Sequence, residues 1–286
     1  MLKRRTDLAL EARELWSESA EAETELEGVR AREEEREGYP VTRVEILNEA
    51  GVQALGKPQG TYITLDLSAL ARREEDAFPR AARALAGELS GLLKLPQGAP
   101  ALVVGLGNRA ITPDAVGPGA ADHTMVTRHL VEQVPEHFGA FRPVAALAAG
   151  VLGTTGVESG ELVRAVTERI HPACVIAVDA LASRSLKRVC TAVQLADTGI
   201  VPGSGVGNHR AALNRETLGV PVIAIGVPTV IDGAALRNED APPSGLFVTP
   251  QDIDHRVREL GRLIGMGVTL ALQPNLTLED VNALTG

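Results

Sequence analysis

Ala-Leu-Val-Val-Gly-Leu-Gly-Asn-Arg-Ala-Ile-Thr-Pro-Asp-Ala-Val-Gly-Pro, residues 101–118, opens on an apolar run and reaches a carboxylate, Asp114, shortly afterwards. Ala-Cys-Val-Ile-Ala-Val-Asp-Ala-Leu-Ala-Ser-Arg-Ser, residues 173–185, repeats the pattern with Asp179. Short continuous apolar runs of this kind read as strands buried on both faces, as in a parallel sheet. Open α/β sheets place their chemistry beyond the carboxyl ends of such strands. Two carboxylates brought together there suit either acid/base work on water or the holding of a metal.

Outward from these runs, strand and helix patterns alternate. Strands are expected at 41–47, 61–67, 144–149, 189–195 and 220–225, and helices at 78–95, 115–134, 159–171 and 257–272. The alternation predicts an α/β fold, a mostly parallel twisted sheet with helices on both faces. Gly56 to Gly60 reads as a turn. Residues 8–38 form a charged segment: Leu8, Leu10, Ala12, Leu15 and Trp16 share one face of a short helix, while 21–37 reads as a solvated helix or a mobile arm. A flexible insert is expected near 232–245, where Pro242 and Pro243 adjoin polar residues.

Composition excludes several classes. The 286 residues suffice for one large α/β domain or two small ones, and 44% hydrophobic content allows a full core. Aromatics are 2%, too few for a base-stacking platform, and a net charge of -9 argues against a nucleic-acid partner. No apolar run is long enough to span a bilayer, and no signal peptide follows the basic residues Lys3, Arg4 and Arg5, so a cytoplasmic location is expected. Cys174 and Cys190 lie in apolar surroundings and read as buried thiols.

Each motif has a structural alternative. Gly105-Leu106-Gly107-Asn108 lacks the third glycine of a dinucleotide loop and the Gly-Lys-Ser/Thr of a phosphate loop, so it reads as a tight turn, and no cofactor is expected. Thr112-Pro113-Asp114, taken alone, reads more readily as a helix cap. Asp179, embedded in apolar residues, is costly unless paired or functional. Asp197-Thr198-Gly199 matches the triplet of pepsin-like proteases, but those are all-β and rich in aromatics. The run Gly203 to Asn208 suits a substrate loop and a surface loop equally. Gly226-Val227-Pro228-Thr229 reads as a cleft rim. The candidate rim residues are therefore Asn108, Arg109, Gly205, Gly207, Asn208 and Thr229. No histidine pair has metal-ligand spacing, and no Ser or Cys sits in a nucleophile elbow.

The stretches 103–118, 126–130, 176–185, 196–208 and 220–230, with 5–12 and 247–250 near the ends, closely resemble the germination protease family of spore-forming bacteria. The resemblance covers nearly the whole chain. It implies a three-layer α/β/α sandwich of the phosphorylase/hydrolase-like kind, related to the proteases that mature hydrogenases. It also implies a homotetramer in the spore core whose substrates are small acid-soluble spore proteins, and an atypical aspartic mechanism without metal. The family's essential aspartates fall on Asp114 and Asp179. Members are made as self-cutting zymogens whose cleavage sites read acidic residue, apolar residue, Ala, any residue, Glu. Asp7-Leu8-Ala9-Leu10-Glu11 fits, which implies a propeptide of residues 1–7, cleavage between Asp7 and Leu8, and a single peptidase domain over 8–286. Two other readings stay open: a metal-dependent maturation-type protease using Asp114, Asp179 and His209, and a non-catalytic binder of basic proteins.

Overall fold

The computed structural model describes residues 6–17, 26–203, 211–236 and 244–285. Its strands are β1 (Val29–Arg36), β2 (Tyr39–Ile46), β3 (Gly60–Asp66), β4 (Ala101–Leu106), β5 (Val144–Gly150), β6 (Cys174–Ser183), β7 (Ala192–Ala196), β8 (Val222–Asp232) and β9 (Phe247–Val248). They form one sheet in the order β1-β2-β3-β7-β8-β6-β4-β5, with β9 paired to the far end of β8. The sheet is mixed. Strands β5, β4, β6 and β8 run parallel, and β7, β3, β2 and β1 extend it by antiparallel pairings.

Alternation along the strands sends residues to two opposite cores. Val103, Ile176 and Ile223 join Leu85 and Leu263 from the helices Ala77–Leu92 and Ile253–Leu272 on one face. Leu102, Val175 and Val222 join Val163 of the helix Ser159–Ile170 on the other. Val44, Ile46 and Ala224 continue that second face under the helix Ala9–Ser17. The result is the α/β/α sandwich that the family resemblance implied, with the helices on both faces of the sheet that the alternation predicted. Both thiols are buried, and burial pushes each up to about 12. Among the described residues no helix is long and apolar enough to cross a membrane.

Three local expectations change. Residues 29–36 form an edge strand, not a helix or an arm. Glu37 and Gly38, at φ 54° and 78°, make the two-residue turn that folds β1 onto β2. Its charges face solvent, as an edge strand requires to resist pairing with another chain. Arg36 and Arg43 both reach Glu88, which is 2% exposed on the helix Ala77–Leu92, and so tie the hairpin to that face.

The helix expected over 115–134 is two, Val116–Asp122 and Arg128–Gln133. Between them Thr124 and Thr127 turn their hydroxyls to the carbonyls of Ala120 and Arg142, and the Met125 N–H goes to Thr269. Strands β6 and β8 run past their expected ends to Ser183 and Asp232. Asp179 and Thr229 are therefore strand residues rather than loop residues. At the expected insert, residues 237–243 fall outside the description. At its flanks Asp232 accepts the N–H groups of Ala234, Ser244 and Gly245 and the Ser244 hydroxyl.

Candidate active site

The carboxylates meet because the chain folds back after β4. Gly107 adopts φ 110°, and a Cβ there would lie 2.0 Å from the carbonyl oxygen of Asp114. That close approach lets the loop return through a 3-10 turn, Thr112–Asp114, with Pro113 inside it. The Asn108 N–H then donates to Asp114 Oδ2 at 2.7 Å. Asp114 does not cap the helix Val116–Asp122: its N-cap is Ala115, which makes no side-chain bond. The helix instead presses Gly117 onto the strands. A Cβ at Gly117 would sit 2.2 Å from the Leu106 oxygen and 2.4 Å from the Val178 oxygen. This contact brings the Asp114 turn beside β6 and β8.

Asp179 lies inside β6 and is 5% exposed. Its Oδ1 accepts the N–H of Ala180 at 2.9 Å. Burial pushes its pKa up to about 8, and the charge of Asp114 pushes the same way. The N–H groups of Ala180 and Gly203 oppose them, and the charge of Asp7 adds a further upward push. Asp114 is only half-buried. The two carboxyl groups line one cleft of about 510 Å³, with Asn108, Ile111, Thr229 and Phe247 among its walls. One carboxyl is thereby held protonated at neutral pH beside another in a wetter setting, the usual arrangement for dividing acid from base.

The expected rim residues divide. Asn108 and Thr229 line the cleft. Thr229 falls at a register shift, since Leu181 pairs with Pro228 and Ala182 with Val230. A bulge of this kind re-aims side chains beside active sites. Arg109 is not brought in: it is exposed and forked onto Asp122, so its charge is spent at the surface. Gly205, Gly207, Asn208 and His209 lie outside the described residues. The triplet at 197–199 is structural. Asp197 accepts the Thr61 N–H at 2.8 Å, and Gly199, at φ 77°, passes close to the Leu213 carbonyl. Among the described residues no group of three His, Cys, Asp or Glu is placed to hold a metal.

Of the expected processing pair, Leu8 is fully buried. Asp7 borders a second cavity of about 330 Å³, and Leu181 lines both. Lys57 Nζ donates to the carbonyl of Asp7 at 2.9 Å and of Thr6 at 3.3 Å. Burial pulls the Lys57 pKa below its usual value, against the pull of the Asp7 and Glu11 carboxylates. Sequence reasoning missed Lys57, as well as Gln194, whose Nε2 donates to the Asp7 carbonyl, and Arg188, which reaches Glu11 and Glu14. Each is a lone polar residue whose neighbours are remote in the chain, so no spacing could signal it.

The family model described as germination protease matches residues 9–242. The chain is 42% identical to the germination protease of Caldanaerobacter subterraneus subsp. tengcongensis, over 98% of this chain and 97% of that one. It is 40% identical to that of Clostridium perfringens, over 97% and 98% respectively. It is also 40% identical to that of Bacillus cereus, over 97% of this chain and 76% of the relative. The chain belongs to the germination protease family and is a protease.

Proposed function

We propose that this member of the germination protease family is an endopeptidase that begins the breakdown of small acid-soluble spore proteins, with Asp114 and Asp179 as its acid/base pair. The observation that carries the mechanism is the pKa of Asp179, raised to about 8 beside a half-buried second carboxyl. Asp114, ionised, takes a proton from water, and the water oxygen bonds to the peptide carbonyl carbon. Asp179 gives its proton to the carbonyl oxygen, which relieves the charge that would otherwise develop there. The tetrahedral intermediate collapses when the carbon–nitrogen bond breaks. The amine leaves with the proton held on Asp114, and Asp179 recovers its own from the hydroxyl.

The same reading includes self-cleavage between Asp7 and Leu8, a homotetrameric assembly and action in the spore core. The burial of Leu8 and the clamped carbonyl of Asp7 support a seated cleavage sequence.

The test is cleavage of a peptide carrying Glu-Ile-Ala-Ser-Glu by the purified protein, with and without chelator, beside Asp179→Asn. Chelator-resistant cutting after the first glutamate, absent in the variant, is the expected result. Loss with chelator alone would transfer the site to a metal-dependent reading.

A further inference from the structure

Residues 6–11 lie against the protein as an extended pair leading into a helical turn. The N–H of Asp7 donates to the Ala182 carbonyl at 3.3 Å, and its carboxylate Oδ2 accepts the Ala182 N–H at 2.9 Å. Its carbonyl accepts Lys57 Nζ at 2.9 Å and Gln194 Nε2 at 3.2 Å. Gln194 Oε1 in turn accepts the Ala9 N–H at 2.7 Å. Leu8 and Ala9 are both 0% exposed. The helix Ala9–Ser17 then brings Glu11 back to the same side, three residues after Leu8.

Glu11 is 1% exposed and fully engaged. It accepts the Ser183 hydroxyl at 2.6 Å, the N–H groups of Arg184 at 2.8 Å and Ser185 at 3.1 Å, and Arg188 Nη1 at 3.3 Å. Leu10, in contrast, is only half-buried. A buried carboxylate with this many donors is a built site, since an unpaired one would be far too costly there.

The positions held by hydrogen bonds or by complete burial are acidic, apolar, small and glutamate, and the fourth, Leu10, is half-buried. This is the pattern of the proposed cleavage motif, position by position, and the inference rests on that motif. We propose that this groove is the enzyme's substrate-reading site, that residues 7–11 trace the path of a bound substrate, and that Ser183 and Arg188 select glutamate four residues beyond the cleaved bond. Lys57 and Gln194 hold the carbonyl of the bond to be cut, and Ala182 takes the acidic side chain before it. Its position suits the role: Ala182 and Leu181 also line the carboxylate cleft. A substrate takes the place of the chain's own segment, so the two compete.

The experiment compares kcat/KM for peptides carrying Glu-Ile-Ala-Ser-Glu and Glu-Ile-Ala-Ser-Gln. Hydrogen bonds to a charged group predict a preference for glutamate of at least about tenfold in the unaltered enzyme. Arg188→Gln and Ser183→Ala should each shrink that ratio by about tenfold, while Arg188→Lys keeps most of it. A ratio unchanged in both variants, or no preference in the unaltered enzyme, overturns the proposal. Because a ratio within one protein cancels losses of folded material, poor folding alone cannot mimic the result.

Should neither variant fold, inhibition of the unaltered enzyme decides. The peptide Thr-Asp-Leu-Ala-Leu-Glu-Ala should compete with substrate, and its Glu→Gln form should do so about tenfold less well. Non-competitive inhibition, or equal potency, overturns the proposal. The ratio is read whichever groups catalyse. Normal cutting by Asp179→Asn would end the carboxylate-pair mechanism and leave this test standing.

Discussion

Replacing Asp179 with Asn should stabilise the folded protein at neutral pH while abolishing cleavage. In the folded chain the carboxyl titrates at about 8, against 3.8 for a free aspartate. Between those values the folded state holds a proton that the unfolded state has lost. Stability therefore falls as pH rises through that window and levels off above it. The slope is about 1.4 kcal/mol per pH unit, so at pH 7 the penalty has reached about 4 kcal/mol. Asparagine cannot ionise, and its Oδ1 can still accept the Ala180 N–H. Exchanging the protonated carboxyl for an amide alters the donors at this buried position, which costs about 1–2 kcal/mol and leaves a net gain of about 2–3 kcal/mol. Urea unfolding of both proteins at pH 5.5, 7 and 8.5, at one protein concentration, measures this. The difference between variant and parent should grow with pH up to about 8 and then stay constant. A difference that does not change with pH, or a variant less stable than the parent at pH 7, would refute the account of how Asp179 is held.

The same raised value sets an alkaline limit on activity. The rate constant kcat/KM should fall tenfold per pH unit above about 8 as the pair loses its shared proton, read from a pH profile of peptide cleavage. Gly107→Ala would force a side chain into a φ of 110° and to within 2.0 Å of the Asp114 carbonyl. It should cost at least about 3 kcal/mol in urea unfolding and reduce cleavage in whatever remains folded. Glu88→Ala removes the buried carboxylate that Arg36 and Arg43 share, and because both arginines reach solvent it should cost about 1–3 kcal/mol by the same assay, with kcat/KM of the folded fraction unchanged.

The legible parts of this chain are those where one local pattern has one physical solution. The runs at 101–106 and 174–178 are too apolar to face water and too short for core helices, so they had to be buried strands. Their parallel pairing then puts the residues that follow them on one edge of the sheet, which is why Asp114 and Asp179 are legible as neighbours in the sequence. Residues 29–36 were opaque for the opposite reason. An edge strand whose side chains nearly all face solvent carries no alternation of apolar and polar residues, and its charges resemble those of a solvated helix. Arg109 misled because proximity in sequence to Asn108 is no guide across a turn that sends one residue into the cleft and the next toward Asp122. Lys57, Gln194 and Arg188 were beyond reach because their roles depend on contacts with residues 6–14, more than forty positions away in every case.

Two irregularities in the parallel half explain why the cleft exists at all. A regular parallel ladder would keep β4, β6 and β8 packed edge to edge, with no room for a peptide beside Asp179. Between Gly105 and Leu106 the β4–β5 register shifts, and the chain leaves the sheet at once through Gly107. Between Leu181 and Ala182 the β6–β8 register shifts as well, with Thr229 as the extra residue and Pro228, which has no N–H to offer the ladder, just before it. Asp179 sits between these two defects, deep enough in β6 for burial to keep its proton, yet next to the place where the sheet opens. A carboxyl at the frayed end of a strand would be solvated and ionised like any other, and one in the middle of an unbroken sheet could reach no substrate. Placing it inside a strand but beside a bulge satisfies both demands, and this geometry distinguishes Asp179 from Asp114, which its turn leaves half-buried and to which the proposed mechanism gives the part of base.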